Sequence, residues 1–389
     1  MIKVIELFSG IGAQRKALDN LGIPHEVIGI SEIDKYALQS YEAIYGETQN
    51  FGDIRQIEHL PYADLWTYSS PCQDISVAGK QKGLSGGTRS GLLYEVGRLL
   101  EVAASENTLP KYLLLENVRN LVSNRFFNEF SGWLNFLNHL GYETSWKVLN
   151  AKEYGTPQNR ERVYGISIRK DLKQKFTFPD KVELTTKLSD LLEEDVDEKY
   201  YVPYKKVEKL IGYLQNKEIS NTIRVAGRSA YDKKHNWDCV AVREGTKKGY
   251  SEACEGDSIN ISFPTSTTRR GRVGKQVAQT LTTSPNQVVL NQVGNFLETS
   301  RFGGNPQDGR VYDKNGISPT LSTKQGPFVL NGYAVRRLTP LECWRLMGFD
   351  DESFRKAKES GVSDTQLYKQ AGNSIVVGVL ERIFKNLLG

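Results

Sequence analysis

Long apolar runs are missing from this sequence. No stretch of its 389 residues approaches the ~18 consecutive apolar positions of a membrane-spanning helix, which excludes embedding in a bilayer by helices. Cysteine is scarce as well. Cys72, Cys239, Cys254 and Cys343 are widely scattered, with no CxxC pair and no histidine at metal-ligand spacing. That pattern argues against a disulfide framework and against any metal site, and it fits a reducing cytoplasm. Charge of one sign is not in excess. The 51 basic and 46 acidic side chains leave a net charge of +5, which permits a nucleic-acid partner without demanding one. The opening residues Met1–Leu7 lack a signal-peptide pattern and read directly as a strand. What is present is a soluble globular chain, 39% hydrophobic and 25% charged, long enough for a sizeable core and two domains.

The first half alternates strand and helix patterns. Ile2–Leu7 reads as a short buried strand, Phe8-Ser9-Gly10-Ile11-Gly12-Ala13 as a glycine turn and Gln14–Leu21 as a helix. This order lets a backbone approach a nucleotide at a helix N-terminus, although G-x-G without a third glycine is equally a plain tight turn. A second strand, Glu26–Glu32, ends in an acid roughly 20 residues beyond the turn, where a carboxylate can accept from ribose hydroxyls. The alternative is a solvated acid capping the next helix, Asp34–Tyr45. Gly52-Asp53-Ile54 offers a further acid at a third strand-end position, suited to an exocyclic amine.

The stretch that organises the chain is Ser69-Ser70-Pro71-Cys72-Gln73-Asp74. It follows the apolar run Ala63–Tyr68 and precedes a polar, glycine-rich stretch, Ala78–Gly91. A cysteine held by a proline at a strand end suits a nucleophile, whereas the plainer reading is a small buried hydrophobe. Lys80, Lys82 and Arg89 among the glycines suit a lid over phosphate, or else an ordinary solvated loop. Helix Gly91–Ala104 leads to the apolar strand Tyr112–Leu115 and then Glu116-Asn117-Val118. A glutamate there is a costly neighbour for the core unless it faces a site. Helix Phe126–Leu140, strand Glu143–Leu149, the polar Gln158-Asn159-Arg160-Glu161-Arg162 and strand Val163–Ile168 continue the alternation. Residues 1–168 thus predict an α/β fold with a doubly wound, mostly parallel sheet.

The texture changes near Asp180. Helical pattern persists through Lys187–Glu194 and Lys206–Gln215, then Gly, Ser, Thr, Asn and Arg dominate to about Pro327. Gly271-Arg272-Val273 leading to Gln279-Thr280-Leu281 is echoed by Gly309-Arg310-Val311 leading to Pro319-Thr320-Leu321, and more weakly by Ser220–Ile223. The spacing drifts, so this is no solenoid but a second, smaller, irregular β-rich domain. Thr267-Thr268-Arg269-Arg270-Gly271-Arg272 carries hydroxyls and positive charge without an acid, as a DNA-facing loop or a solvated turn. Regular structure returns with a helix opened by Arg336–Glu342 and running to about Met347, and a terminal helix, Ile375–Leu388, preceded by Gln370-Ala371-Gly372-Asn373-Ser374.

The ordered set Phe8-Ser-Gly-Ile-Gly12, Pro71-Cys72-Gln73, Glu116-Asn117-Val118, Gln158-x-Arg160-x-Arg162, Arg337-Leu338-Thr339-Pro340-x-Glu342 and Gly372-Asn373-Ser374 closely resembles the cytosine-C5 DNA methyltransferase family of bacteria and phages. The likeness covers the whole chain except about residues 180–330. It implies a Rossmann-like catalytic domain over 1–180, a target recognition domain over 181–330 and a C-terminal segment, 331–389, returning to the first domain. It also implies S-adenosylmethionine as methyl donor, with Phe8, Ser9, Gly10, Gly12, Glu32, Ile33, Asp53, Ile54, Pro71, Asn373 and Ser374 around it. Cys72, Glu116, Arg160 and Arg162 would form the catalytic set, with Asn117 positioning the Pro71-Cys72 backbone.

Cytosine C5 is a poor nucleophile until a thiolate adds at C6 and makes the ring enamine-like. Glu116 would then hold the N3 and N4 edge and Arg162 the O2. The implied partner is double-stranded DNA, contacted by Ser76 and Arg89 from the lid and by Arg269, Arg270, Arg272 and Thr280 from the recognition domain. A monomer in the bacterial cytoplasm is expected, with a companion restriction endonuclease, where one exists, acting independently. A tRNA-acting relative, a catalytically silent DNA-binding protein and a nicotinamide dehydrogenase are the rival readings. Each is disfavoured in turn by the long recognition region, by the intact Cys72, Glu116 and Arg162, and by the short glycine turn.

Overall fold

The computed structural model describes residues 1–70, 91–201, 239–254, 256–284, 286–292, 329–330 and 333–389. In chain order the elements are β1 (Ile2–Leu7), α1 (Ala13–Asn20), β2 (His25–Ser31), α2 (Lys35–Tyr45), β3 (Leu65–Tyr68), α3 (Leu92–Ser105), β4 (Tyr112–Val118), α4 (Phe127–His139), β5 (Tyr142–Asn150), β6 (Gln158–Asn159) and β7 (Glu161–Arg169). Short strands follow: β8 (Cys239–Arg243), β9 (Tyr250–Cys254), β10 (Ser258–Asn260), β11 (Val273–Gly274), β12 (Ala278–Gln279), β13 (Gln287–Gln292), β14 (Val329–Leu330) and β15 (Tyr333–Arg337). Helices α5 (Pro340–Leu346), α6 (Asp351–Glu359), α7 (Asp364–Asn373) and α8 (Val377–Leu388) close the chain.

Two compact units result. The first comprises Met1–Thr156, Arg160–Thr185 and Cys343–Gly389, and the second Pro157–Asn159 with Thr186–Glu342. The return to the first unit comes at Cys343 rather than at 331, because β15 pairs with β13 and β14 inside the second unit.

The first unit is built on a six-stranded sheet of order β2-β1-β3-β4-β7-β5. β2, β1, β3 and β4 run parallel, and β7 is antiparallel to both of its neighbours. The fold is therefore α/β with a mostly parallel sheet, as expected. Period-two alternation sends Ile5, Leu7, Trp66, Tyr68, Leu113 and Leu115 to one face, where they pack with Leu99 and Leu100 of α3 and Phe130 and Trp133 of α4. The opposite face carries Val4, Glu6, Leu65, Thr67 and Leu114, all buried, and Glu6 there accepts from the Arg15 N–H at the start of α1. Burial on both faces is why β3 and β4 read as nearly unbroken apolar runs. The terminal helix α8 packs along α1, and the Asn20 amide donates to Glu381 at 2.6 Å.

The second unit holds a five-stranded sheet, β11-β10-β13-β15-β14, the hairpin β8–β9 and the short parallel pair β12–β6. Its anchor is an ion pair with no solvent exposure. Arg336 donates to Glu342 at 2.8 and 2.7 Å, and Glu342 also accepts from the backbone N–H of Thr339 and Glu193. These extra bonds matter, since a buried pair is tolerable only when its remaining lone pairs are satisfied.

Several sequence expectations need correction. Arg336 and Arg337 lie on β15 and not in a helix, which starts at Pro340. Only a 3₁₀ turn, Leu188–Leu191, forms where a helix was read over 187–194. Cys254 is disulfide-bonded, and the antiparallel register sets Cys239 directly opposite it, a pairing that local spacing does not reveal. The second and third echoes and the helix read over 206–215 lie outside the described residues.

Candidate active site

One transverse row of the sheet organises the site. Ser31 on β2 pairs with Leu7 on β1, Leu7 with Tyr68 on β3, Tyr68 with Leu115 on β4, and Leu115 with Gly165 on β7. One residue beyond this row stand Glu32, Phe8, Ser69 and Glu116, at the carboxyl ends of four adjacent parallel strands. The strand order reverses between β1 and β3, and that crevice is where open α/β sheets bind ligands.

The β1 end is shaped for a backbone to meet a ligand. Phe8, Gly10 and Gly12 all have positive φ (59°, 57° and 74°). A non-glycine residue pays for such a conformation in steric energy, so Phe8 is locally strained. A Cβ on Gly10 would meet nothing within 4 Å, which leaves this face of the turn open. Ser9 Oγ is buried and finds no hydrogen-bond partner among the described residues. Glu32 accepts from the Gly10 N–H at 2.9 Å through one oxygen and from Ile33 and Asp34 at 2.8 and 2.7 Å through the other. Burial raises its pKa, while those three N–H groups oppose the rise. Ile33, alongside, is 71% exposed.

Beneath the turn lies a brace that the sequence reading missed. The rings of Tyr41 and Tyr45 press on the Gly12 Cα, where an added Cβ would come within 2.7 and 2.6 Å of them. The Tyr45 hydroxyl donates to the Gly12 carbonyl at 2.8 Å, and the Arg15 guanidinium lies 4.7 Å from the Tyr45 ring centre. The Tyr41 hydroxyl donates to Glu6 at 2.7 Å. Burial pushes the Glu6 carboxyl up to about 7 despite the Tyr41 and Arg15 hydrogen bonds. The signal was available: an acid inside the apolar strand Ile2–Leu7 is as costly there as Glu116 is on β4.

At the β4 end, Glu116 is buried and faces Arg162 on β7, with Nε 3.2 Å from Oε1. The register explains this contact, since Arg162 pairs with Val118 and Glu116 with Tyr164, making the two diagonal neighbours on one face. Burial raises the Glu116 pKa, and the charges of Arg162 and Arg160 oppose that rise. Asn117 donates to the Ser70 carbonyl at 3.2 Å and to Ser70 Oγ at 3.3 Å, fixing the last described residue of the central stretch. A buried acid beside a guanidinium, on the same sheet edge as an open glycine turn, suits proton transfer to a planar polar ring.

Over residues 2–389 the chain matches the family model for the C-5 cytosine-specific DNA methylases. It belongs to that family. Among its relatives are the orphan methyltransferase M.SPRI of Bacillus phage SPR and the type II methyltransferase M.HhaI of Haemophilus parahaemolyticus. The first is 35% identical, covering 100% of this chain and 97% of the relative, and the second is 32% identical, covering 99% and 94%. The solved structure of the S. pombe Dnmt2 methyltransferase shares the fold, with TM-score 0.57 and 19% identity over the whole of both chains. The chain is thus a DNA (cytosine-5-)-methyltransferase.

The remaining expected residues take varied environments. Arg160, read as catalytic, is buried and donates to the Gly372 and Ser374 carbonyls at 3.2 and 2.6 Å, so it holds the segment carrying Asn373 and Ser374. Asp53 lies in the connection to β3, not at a strand end. It is bound by the exposed Arg55, whose side chain holds its pKa below the usual carboxylate range. Ile54 is packed in the core.

Arg272, read as a DNA contact, has no solvent exposure. Its guanidinium donates to the carbonyls of Asn260, Ser262 and Phe263 at 3.1, 2.9 and 2.7 Å. The Thr280 hydroxyl is given to the Asn159 carbonyl at 2.8 Å, and its neighbour Leu281 is buried, so the echoed Thr-Leu is part of the scaffold. Arg270 is exposed, with Nε on the Gly245 carbonyl, and Arg269 is half-buried. Pro71, Cys72, Ser76 and Arg89 lie outside the described residues. Among the described residues no group of His, Cys, Asp and Glu could hold a metal ion, and no helix is long and apolar enough to cross a membrane.

Proposed function

We propose that this methylase transfers a methyl group from S-adenosylmethionine to C5 of a flipped-out cytosine in a specific duplex sequence, through a covalent bond between Cys72 and C6. The observation that carries this reading is the buried Glu116–Arg162 pair beside the Asn117–Ser70 contact, with only β3 between its strand β4 and the strand of the open glycine turn.

The β1 and β2 ends suit the methyl donor. Ser9 Oγ supplies an unpaired buried hydroxyl, Gly10 an open backbone, and Glu32 a carboxylate with one lone-pair site left after three N–H bonds. Phe8 and Ile33 supply apolar surface. Asn373 and Ser374 complete the set through Arg160. When bound, S-adenosylmethionine supplies an electrophilic methyl group.

The chain's own residues then act on the base. The Cys72 thiolate adds to C6 while Glu116 gives a proton to N3, and Arg162 stabilises the charge that develops at O2. The burial that raises the Glu116 pKa makes it a better donor near neutral pH. C5 takes the methyl group, leaving S-adenosylhomocysteine, a base removes the C5 proton, the C6–sulfur bond breaks to return the thiolate, and N3 gives its proton back to Glu116. A stacked cytosine cannot enter such a site, so it must leave the duplex at a cost of a few kcal/mol. The enzyme acts as a monomer on DNA in the cytoplasm, independently of any companion endonuclease.

Duplex DNA with 5-fluorocytosine at the methylated position tests this directly, because fluorine cannot leave as a cation. We expect a complex that survives denaturing electrophoresis, forms only with S-adenosylmethionine and maps to Cys72. Bisulfite sequencing of plasmid DNA from expressing cells identifies the position to label. Cytosines protected in no consistent context, a link to another cysteine, or modification of tRNA alone would overturn the reading.

A further inference from the structure

The loop between β10 and β11, residues 261–272, contains no acidic side chain and is fixed from both sides. The buried Arg272 binds the start of the loop through the carbonyls of Asn260, Ser262 and Phe263. At its base, Arg272 and Val273 give their N–H groups to the buried carboxylate of Glu244, and the Gly245 N–H donates to the Arg269 carbonyl at 2.7 Å. A Cβ on Gly245 would lie 2.5 Å from the Thr268 backbone, so only glycine lets the loop pass so close. At the turn itself, the Ser266 N–H donates to the Phe263 carbonyl, and Ser266 Oγ accepts from Arg269.

This scaffold presents Phe263. The residue is 72% exposed and has a φ of 51°, a conformation rare for a bulky side chain. The Arg269 guanidinium sits 5.5 Å from the ring centre and restricts it from one side. An exposed aromatic ring would ordinarily be mobile and paired with its apolar neighbours. Here a fully buried arginine binds its carbonyl from within, in a loop whose polar side chains are all hydroxyls and arginines. An apolar tip ringed by phosphate-type donors matches one partner chemistry, the groove of a nucleic-acid duplex, where an apolar side chain touches a base edge and its neighbours touch the backbone.

We propose that Phe263 is a base-edge contact of the methylase and that Arg269 holds its ring and meets the adjacent phosphate, both positioned by the buried Arg272. This rests on the reading of the chain as acting on duplex DNA and adds which residues of the second unit touch it. The contact discriminates among sequences through Phe263, while Arg269 contributes charge neutralisation that is independent of sequence.

The test uses the full chain, unmethylated plasmid DNA and radiolabelled S-adenosylmethionine, with the modified sites mapped by bisulfite sequencing. Phe263→Ala is expected to lower kcat/KM for DNA by about tenfold or more, within the range of one base contact, and to broaden the set of methylated sites. KM for the methyl donor should not change, and Phe263→Leu should restore most of the loss. Arg269→Ala should weaken binding on all sequences and reduce the slope of log affinity against log salt by about one. Unchanged kcat/KM and unchanged sites in Phe263→Ala would overturn the proposal, as would an equal loss in Phe263→Leu accompanied by a lowered melting temperature. Absence of DNA methylation by the unaltered chain would instead refute the underlying reading, so the two failures are distinguishable.

Discussion

Glu6 offers the sharpest quantitative prediction, because its environment is fully defined by described residues. It has no solvent exposure, and burial outweighs its Tyr41 and Arg15 hydrogen bonds to raise the pKa from 4.5 to about 7. The folded chain therefore holds a proton that the unfolded chain has released between those two values. Stability falls wherever the folded state binds more protons, so this group costs nothing at pH 4 and its full penalty above pH 7. A difference of 2.5 pH units at 1.36 kcal/mol each amounts to about 3 kcal/mol.

Glu6→Gln removes the titration while keeping the shape. The amide oxygen still accepts from the Arg15 N–H, and the amide nitrogen can donate to the Tyr41 oxygen that formerly donated to Glu6. Urea unfolding followed by tryptophan emission reports mainly the first unit, which holds four of the five tryptophans, Trp66, Trp133, Trp146 and Trp344. The variant should gain on the unaltered protein by up to about 3 kcal/mol as the pH is raised from 5 to 8, with most of the change between pH 5 and 7. Parallel pH profiles for the two proteins would show that Glu6 is ionised in the fold at ordinary cost, and the reasoning from burial would fail.

Two further substitutions separate chemistry from positioning. Arg162→Ala should cut single-turnover methyl transfer by on the order of 10²–10³ and leave DNA binding far less changed, because it removes the donor proposed for O2 together with the counter-charge of Glu116. Near-normal turnover would refute its assignment. Arg160→Met deprives the Gly372 and Ser374 carbonyls of their donor, a loss of about 1–3 kcal/mol for each buried group, and should raise KM for S-adenosylmethionine with little change in KM for DNA. A fall in turnover at saturating methyl donor, with KM unchanged, would restore the catalytic role that the sequence suggested.

The parts of this protein legible in the sequence are those governed by short-range rules. Buried parallel strands announce themselves as apolar runs, and Ala63–Tyr68 and Tyr112–Leu115 did so even though their exact ends shifted by two or three residues. Acids at strand ends stood out because nothing apolar tolerates them, and so Glu32 and Glu116 were found. What the sequence could not show is which charged group is already occupied. Arg160, Arg162, Arg269 and Arg272 are identical as letters. Yet two are spent on backbone carbonyls, one faces a carboxylate, and one lies over an aromatic ring. Their fates depend on residues up to 214 positions away, as in the bond from Arg160 to Ser374.

The same contrast explains why Arg160 and Arg272, both expected to meet a ligand, are instead spent on backbone carbonyls. In Gly271-Arg272-Val273 the flanking glycine and the absence of acids suggest exposure, but the acid that matters, Glu244, is 28 residues upstream and fully enclosed. With its N–H fixed on Glu244, the Arg272 side chain turns inward and satisfies the carbonyls of a long loop that has no ladder of its own. Burying a guanidinium is worthwhile only where several acceptors converge, and a 12-residue connection between two short strands leaves such acceptors unpaired. An arginine directly after a glycine, at the close of a long acid-free loop, is therefore a candidate for the loop's internal prop before it is a candidate for a ligand. The neighbours that such a prop pushes outward, here Phe263 and Arg269, are the better place to look for contact with DNA.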